Sequence, residues 1–160
     1  MIKLLKIVEY VTDTYEEDKK KYYGNIGAGI LALAKDTKKF LVCQRSKRVG
    51  SPGTYAMVGG AINIKESPQE GAKREFFEET MFNGNMDLKL VYIFKNPNYA
   101  YYNFIGIVDQ EFTPRLNHES SGYEWLSYEE LIKLNNKHLG LVALLDNAND
   151  AILDILNKLG

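Results

Sequence analysis

Runs of β-branched and aromatic residues separated by turn-forming residues recur along most of the chain. They predict strands at Leu4–Val11, Gly27–Ala34, Phe40–Arg45, Tyr55–Val58, Leu88–Phe94, Tyr99–Val108 and Tyr123–Leu126. Asp36-Thr37 and Asn96-Pro97-Asn98 supply hairpin turns between neighbouring strands, and Gly59-Gly60 reads as a turn leading out of the fourth strand. Three acidic residues followed by three lysines, Glu16 to Lys21, read most simply as a solvated loop. Helical signals then take over. Ser67-Pro68-Gln69-Glu70 places a capping Ser, a first-turn Pro and a Glu at the third position, which predicts a helix from there to about Thr80. Ser127-Tyr128-Glu129-Glu130 repeats the box ahead of Leu131 and Ile132, and Ala151, Ile152, Ile155, Leu156 and Leu159 share one helical face. Strands interrupted by a mid-chain helix and closed by C-terminal helices predict an α/β sandwich around a mixed sheet, built as one domain over residues 1–160.

Composition narrows the chemistry. Twenty Lys and Arg against 21 Asp and Glu leave a net charge of −1, so no global field draws the chain to nucleic acid or an anionic membrane. One Cys (Cys43) and two His (His118, His138) cannot form an internal disulfide or a four-ligand zinc site, so any metal must be held mainly by oxygen. The amino-terminal apolar run is broken by Lys6 and Glu9, which excludes a secretory signal. No stretch approaches the roughly 18 apolar residues of a membrane span. A cytoplasmic protein is expected.

On the helix after Ser67, Glu75, Glu78 and Glu79 stand at i, i+3 and i+4 and fall on one face. Each like-charge pair costs roughly 0.2–0.5 kcal/mol, and the cluster lies toward the helix C-terminus, where the macrodipole disfavours anions. A solvated acidic face is the plain reading. A divalent cation, which would turn the repulsion into binding, is the other.

The segment from Gly60 through Glu66 to Arg74-Glu75-Phe76-Phe77-Glu78-Glu79-Thr80-Met81-Phe82 resembles the Nudix box of the Nudix hydrolases, G-x5-E-x7-R-E-U-x-E-E-x-G-U. Gly60, Glu66, Arg74, Glu75, Glu78 and Glu79 all stand at the required spacing. The approach from Gln44-Arg45 and Ser51 to Gly60 is also similar to the family's, with Val58 where Pro is usual, and Glu124-Trp125-Leu126 resembles its closing strand. The likeness spans about Gly27 to Leu134. Met81 replaces the last glycine of the box, so Asn83-Gly84 is expected to end the helix instead.

The resemblance implies a Nudix-type α/β/α sandwich. It also implies Mg²⁺ or Mn²⁺ held by Glu75, Glu78, Glu79 and the Gly60 carbonyl, Arg74 orienting a box carboxylate, and Glu66 bracing the loop against the helix. The implied reaction is attack of a metal-activated water on one phosphorus of a diphosphate, releasing two phosphorylated products. Glu119, six residues before Trp125, is similar to a loop glutamate that some members use as an extra ligand or base; a plain surface Glu is the alternative. Arg45, Lys47 and Arg48 offer a phosphate clamp or a solvated basic loop. Pro97 lies 15 residues past Phe82, resembling ADP-ribose-cleaving members. Tyr99 lies 17 past it, resembling those that cleave dinucleoside polyphosphates. Stacking on Tyr99 favours a nucleoside or dinucleoside polyphosphate. ADP-ribose or nucleotide-sugar hydrolysis and a non-catalytic nucleotide-binding module are the alternatives, with a small-molecule partner in each case, no nucleic acid and no membrane. A homodimer is left open.

Overall fold

The structure is a computed structural model that describes residues 15–22 and 25–160; the strand expected at Leu4–Val11 lies outside the described residues. Seven strands form one mixed sheet: β1 (Ile26–Ala34), β2 (Phe40–Arg45), β3 (Tyr55–Ala56), β4 (Val58–Ala61), β5 (Asp87–Asn96), β6 (Tyr99–Val108) and β7 (Ser120–Leu126). The order β3-β2-β1-β6-β5 puts β1 and β6 at the centre as a parallel pair, while every other pairing is antiparallel. All nine residues of β1 are buried, as expected of a strand covered on both faces. Helical residues 15–22 (α1) and α2 (Pro68–Thr80) cover one face, over Ile30, Ala32, Leu41, Tyr102 and Phe104. The other face, Leu31, Leu33, Phe40, Ile105 and Ile107, is covered by α4 (Leu139–Leu159), with Leu131 of α3 (Tyr128–Lys133) joining the same cluster. The expected α/β/α sandwich is the fold observed.

β1 forks the sheet. Its second half pairs with β2 at Ala32 and Leu33, and its first half pairs with β4 from Gly27 to Ile30. The strand expected at Tyr55–Val58 is therefore broken at Met57, where the chain passes from the β2 branch to β4. Gly59 and Gly60 belong to β4, opposite Gly29 and Ala28, rather than to a turn. A Cβ on Gly59 would collide with the Ala28 carbonyl and the Tyr101 hydroxyl, so glycine serves close approach here and not a bend.

Two further expectations are corrected. Residues 15–22 are helical, and Asp18, at 3% exposure, is buried between Lys95 Nζ at 2.9 Å and the Tyr102 hydroxyl at 2.6 Å. Partners 77 and 84 residues away turn what looks like a solvated acidic run into a docked helix. Asn83-Gly84 does not end α2. Met81 itself takes the left-handed conformation, φ +62°, and its N–H donates to the Phe77 carbonyl at 2.7 Å. The C-cap geometry forms without the glycine that favours it. At Ser127 both halves of the capping box form, and at Ser67 the hydroxyl accepts from Glu70 N at 3.1 Å.

Candidate active site

Arg74 is the hub of α2. Its Nε and Nη2 grip the two oxygens of Glu66 at 2.8 and 3.0 Å, Nη2 also reaches the Ala61 carbonyl at 3.1 Å, and Nη1 donates to Glu75 at 3.1 Å and Glu78 at 3.2 Å. The planar fork lets one guanidinium tie the loop before the helix to two carboxylates on it. Glu66 also accepts from Asn63 N at 2.8 Å, and the Arg74 bonds hold its carboxyl below the usual carboxylate range.

The acidic face divides. Glu78 stays at the rim against Arg74, its side chain 52% exposed. Glu75 lies against Gly60: a Cβ there would stand 2.8 Å from its carboxylate carbon, so a larger residue would make the carboxylate shift. Burial raises the Glu75 pKa, against the pull of Arg74. Glu79 is 8% exposed, and its pKa is pushed up to about 9, first by burial, then by a hydrogen bond to and repulsion from Glu119, then by repulsion from Glu75. Arg45 pulls the other way. The structure thus brings Glu75, Glu79, Glu119, Gly60 and Arg45 to one place.

Glu119 arrives from the loop before β7, 40 residues beyond Glu79, and two side chains fix that loop. Asn117 accepts from Glu119 N at 2.9 Å and donates to the Glu78 carbonyl at 3.4 Å. Ser46 donates its hydroxyl to the His118 carbonyl at 2.7 Å, and its N–H reaches the Glu119 carbonyl at 2.9 Å. Neither Asn117 nor Ser46 stands out in the sequence, because each acts on a segment far along the chain.

These groups open into a cavity of about 580 Å³, within the usual range for a small-molecule site. It draws on both branches of the fork, with Cys43 and Arg45 from β2 and Val58 to Ala61 from β4. Tyr99 and Tyr101 line it, their rings 6.0 Å apart and inclined at 36°. Of the three basic residues expected as a clamp, only Arg45 lines the cavity; Lys47 and Arg48 are exposed on the loop after β2 and do not line it. Pro97 is exposed in the β5–β6 turn.

Sequence reasoning missed His138 and Asn103. His138 caps α4, its Nδ1 accepting from Gly140 N at 3.0 Å, and lines the cavity, where burial lowers its pKa. Asn103 is a polar break in the apolar run of β6, a signal that was available. Cys43 also lines the cavity, but burial pushes its thiol up to about 12, which leaves it protonated and unreactive.

Among the described residues no three acidic, His or Cys side chains stand close enough together to hold a metal ion as they are placed. The donors nonetheless fit a hard cation. They are all oxygen, two of the carboxylates are pushed toward neutrality by burial and mutual repulsion, and a glycine leaves room for one of them.

A family model described as the NUDIX domain matches residues 25–145. Among solved structures, the chain is similar to a Nudix hydrolase, RenU, from M. smegmatis, with TM-score 0.72, 19% identity, and coverage of 82% of this chain and 88% of that one. It is similar to a C. elegans Ap4A hydrolase, with TM-score 0.61, 20% identity, and coverage of 80% and 98%. It is also similar to the E. coli dihydroneopterin triphosphate pyrophosphohydrolase, with TM-score 0.62, 17% identity, and coverage of 79% and 96%. At these identities the structural likeness is one of fold.

Proposed function

The chain belongs to the NUDIX domain family, and from that premise we propose that it is a divalent-cation-dependent hydrolase cleaving a pyrophosphate linkage in a nucleotide. One observation carries the reading: Glu79, buried, and Glu119, half-buried, come from elements far apart in sequence and meet beside Glu75 on the wall of a cavity that Arg45 also lines. Ionising Glu79 beside Glu119 and Glu75 costs stability unless a cation offsets the repulsion, which gives a non-functional site no reason to keep the cluster.

Glu75, Glu79 and Glu119, with the Gly60 carbonyl, are the groups that would hold Mg²⁺ or Mn²⁺; Glu78 would join from the rim. A cation bound there supplies charge neutralisation for the phosphoryl oxygens and lowers the pKa of a coordinated water. Arg74 keeps the carboxylates oriented without entering the cavity. Arg45 binds a phosphate oxygen by charge-assisted hydrogen bonds, and Glu119 accepts the proton of the attacking water. The water adds to one phosphorus, the bridging P–O bond breaks, and two phosphorylated products leave.

Within this class we favour nucleoside or dinucleoside polyphosphates. Tyr99 lines the cavity and Pro97 does not, which supports base stacking on Tyr99 over the ADP-ribose reading. The C. elegans relative in fold acts, by its name, on Ap4A. The test is kcat/KM with Mg²⁺ for diadenosine tetraphosphate, nucleoside triphosphates, ADP-ribose and nucleotide sugars, in the parent and in Tyr99→Ala, Glu79→Gln and Glu119→Gln. We expect polyphosphates to lead, Tyr99→Ala to weaken that lead, Glu79→Gln to cost orders of magnitude in turnover, and Glu119→Gln at least tenfold in kcat with little change in KM. Full activity in EDTA would sink the divalent-cation dependence, and no turnover of any of these substrates with Mg²⁺ would sink the hydrolase assignment. A preference for ADP-ribose untouched at Tyr99 would sink the substrate class, and nucleotide binding without turnover would leave a binding module.

A further inference from the structure

On the α4 face, β1 and β6 pair Leu33 with Ile107, Leu31 with Ile105, Gly29 with Asn103 and Gly27 with Tyr101. The first two pairs are core. At the third the core stops, because Gly29 has no side chain and Asn103 is polar, yet Asn103 is only 3% exposed. Its Nδ2 donates to the Tyr92 and Tyr101 carbonyls, both at 3.3 Å. A backbone carbonyl can only accept, so the amide can sit one way round, with Oδ1 turned away from both.

That oxygen accepts from no group among the described residues. Since no buried side-chain oxygen among the described residues lacks a partner, Oδ1 must keep contact with solvent, and the cavity that Asn103 lines offers that contact. The two halves of the amide therefore have different explanations. Nδ2 serves the sheet, since the register shift between Leu90 and Tyr92 falls beside one of its carbonyl partners. Oδ1 serves nothing in the fold.

Aromatic and aliphatic residues share the lining with the charged groups, among them Tyr92, Tyr101, Leu139 and Leu141. Another fixed group lines the same cavity. His138 Nδ1 accepts the Gly140 N–H, so the neutral imidazole carries its proton on Nε2, and that nitrogen is a donor. A flat heteroaromatic ring with an N–H on one edge and an acceptor elsewhere matches this combination, while a sugar or a bare phosphate would leave the apolar walls uncovered.

Resting on the nucleotide reading above, we propose that Asn103 is the specificity-determining residue of the cavity: its Oδ1 accepts from an N–H or amino group of the substrate's nucleobase. A site built to receive such a bond discriminates steeply against a ligand that lacks the donor, because the oxygen must then be desolvated unpaired.

The test is calorimetric binding in EDTA, where no cleavage intervenes. Natural nucleoside triphosphates are compared with the triphosphates of purine riboside and pyrimidin-2-one riboside, whose bases carry no N–H. Inorganic tripolyphosphate is the base-free control, and Asn103→Leu the variant. The parent should bind at least one natural nucleotide tenfold or more tightly than the donor-less analogue of the same ring size. Asn103→Leu should bring that ratio to within about threefold while tripolyphosphate affinity holds within twofold. Equal binding of donor-bearing and donor-less bases by the parent would overturn the proposal, and this comparison stands even if the variant fails to fold. So would a ratio that survives the substitution, loss of tripolyphosphate binding in step with nucleotide binding, or no nucleotide binding at all. If nucleotides bind with this preference and none is cleaved with Mg²⁺, the hydrolase reading falls and the assignment of Asn103 stands.

Discussion

Residue by residue, the sequence spacing places side chains on a helix face but does not say which of them converge. Glu75, Glu78 and Glu79 share one face of α2, yet Glu78 turns to Arg74 at the rim while Glu79 is buried against Glu119. Met81 is a second case. It holds the left-handed conformation at φ +62° with nearly half its surface exposed, so it bears the cost of an L-residue there, roughly 1–2 kcal/mol, with little burial to offset it. Glycine would remove that strain and lose some of the gain through its greater freedom in the unfolded chain. Met81→Gly should therefore stabilise the protein by about 0.5–1 kcal/mol, read as a higher urea midpoint at unchanged slope. An unchanged or lower midpoint would mean that the Met81 side chain contributes packing that its exposure does not suggest.

Among the elements, α1 is held by contacts distant in sequence. It carries the charge run Glu16 to Lys21, which local reasoning assigns to solvent, and it is fixed by Asp18 between Lys95 and Tyr102 and by the Tyr15 hydroxyl donating to the Glu66 carbonyl. The second bond joins α1 to the loop that leads into α2. Asp18→Ala should cost about 2–3 kcal/mol, and Asp18→Asn, which keeps an acceptor for Tyr102 but loses the charge opposite Lys95, about half of that. Urea denaturation of the two variants checks the order. Equal losses would place the whole effect in the charge, and no loss would mean that α1 does not contribute to the cooperative unit. The Tyr15 and Asp18 anchors act on one helix, so hydrogen exchange in residues 15–22 should rise in Asp18→Ala before that in β1 does.

At the scale of the whole molecule, the buried carboxyls tie stability to pH. The Glu79 carboxyl titrates at about 9 in the fold against 4.5 for an ordinary glutamate. Between those values the folded chain holds a proton that the unfolded chain has released, so this group's contribution is fully present below pH 4.5 and is lost as pH rises toward 9. Glu66 has the opposite sign: Arg74 lowers its pKa, so its contribution is lost only as pH falls through the acid range. In EDTA, the melting temperature should therefore fall from pH 6 to pH 9, and Glu79→Gln should flatten that slope; an equal slope in the variant would place the titration elsewhere. What the sequence determined by itself is what short-range rules encode: strand runs, the caps at Ser67 and Ser127, the hairpin at Asn96–Asn98, and a helix face carrying carboxylates at box spacing. These follow from interactions spanning a few residues, which hold wherever the chain goes. What only the tertiary structure decided is which distant groups meet. Glu119 with Glu79, Asp18 with Lys95, Gly60 with Glu75, and Asn103 and His138 on the walls of one cavity all depend on how the forked sheet and its two helical layers close. The packing of whole elements sets those meetings, and no local pattern records them.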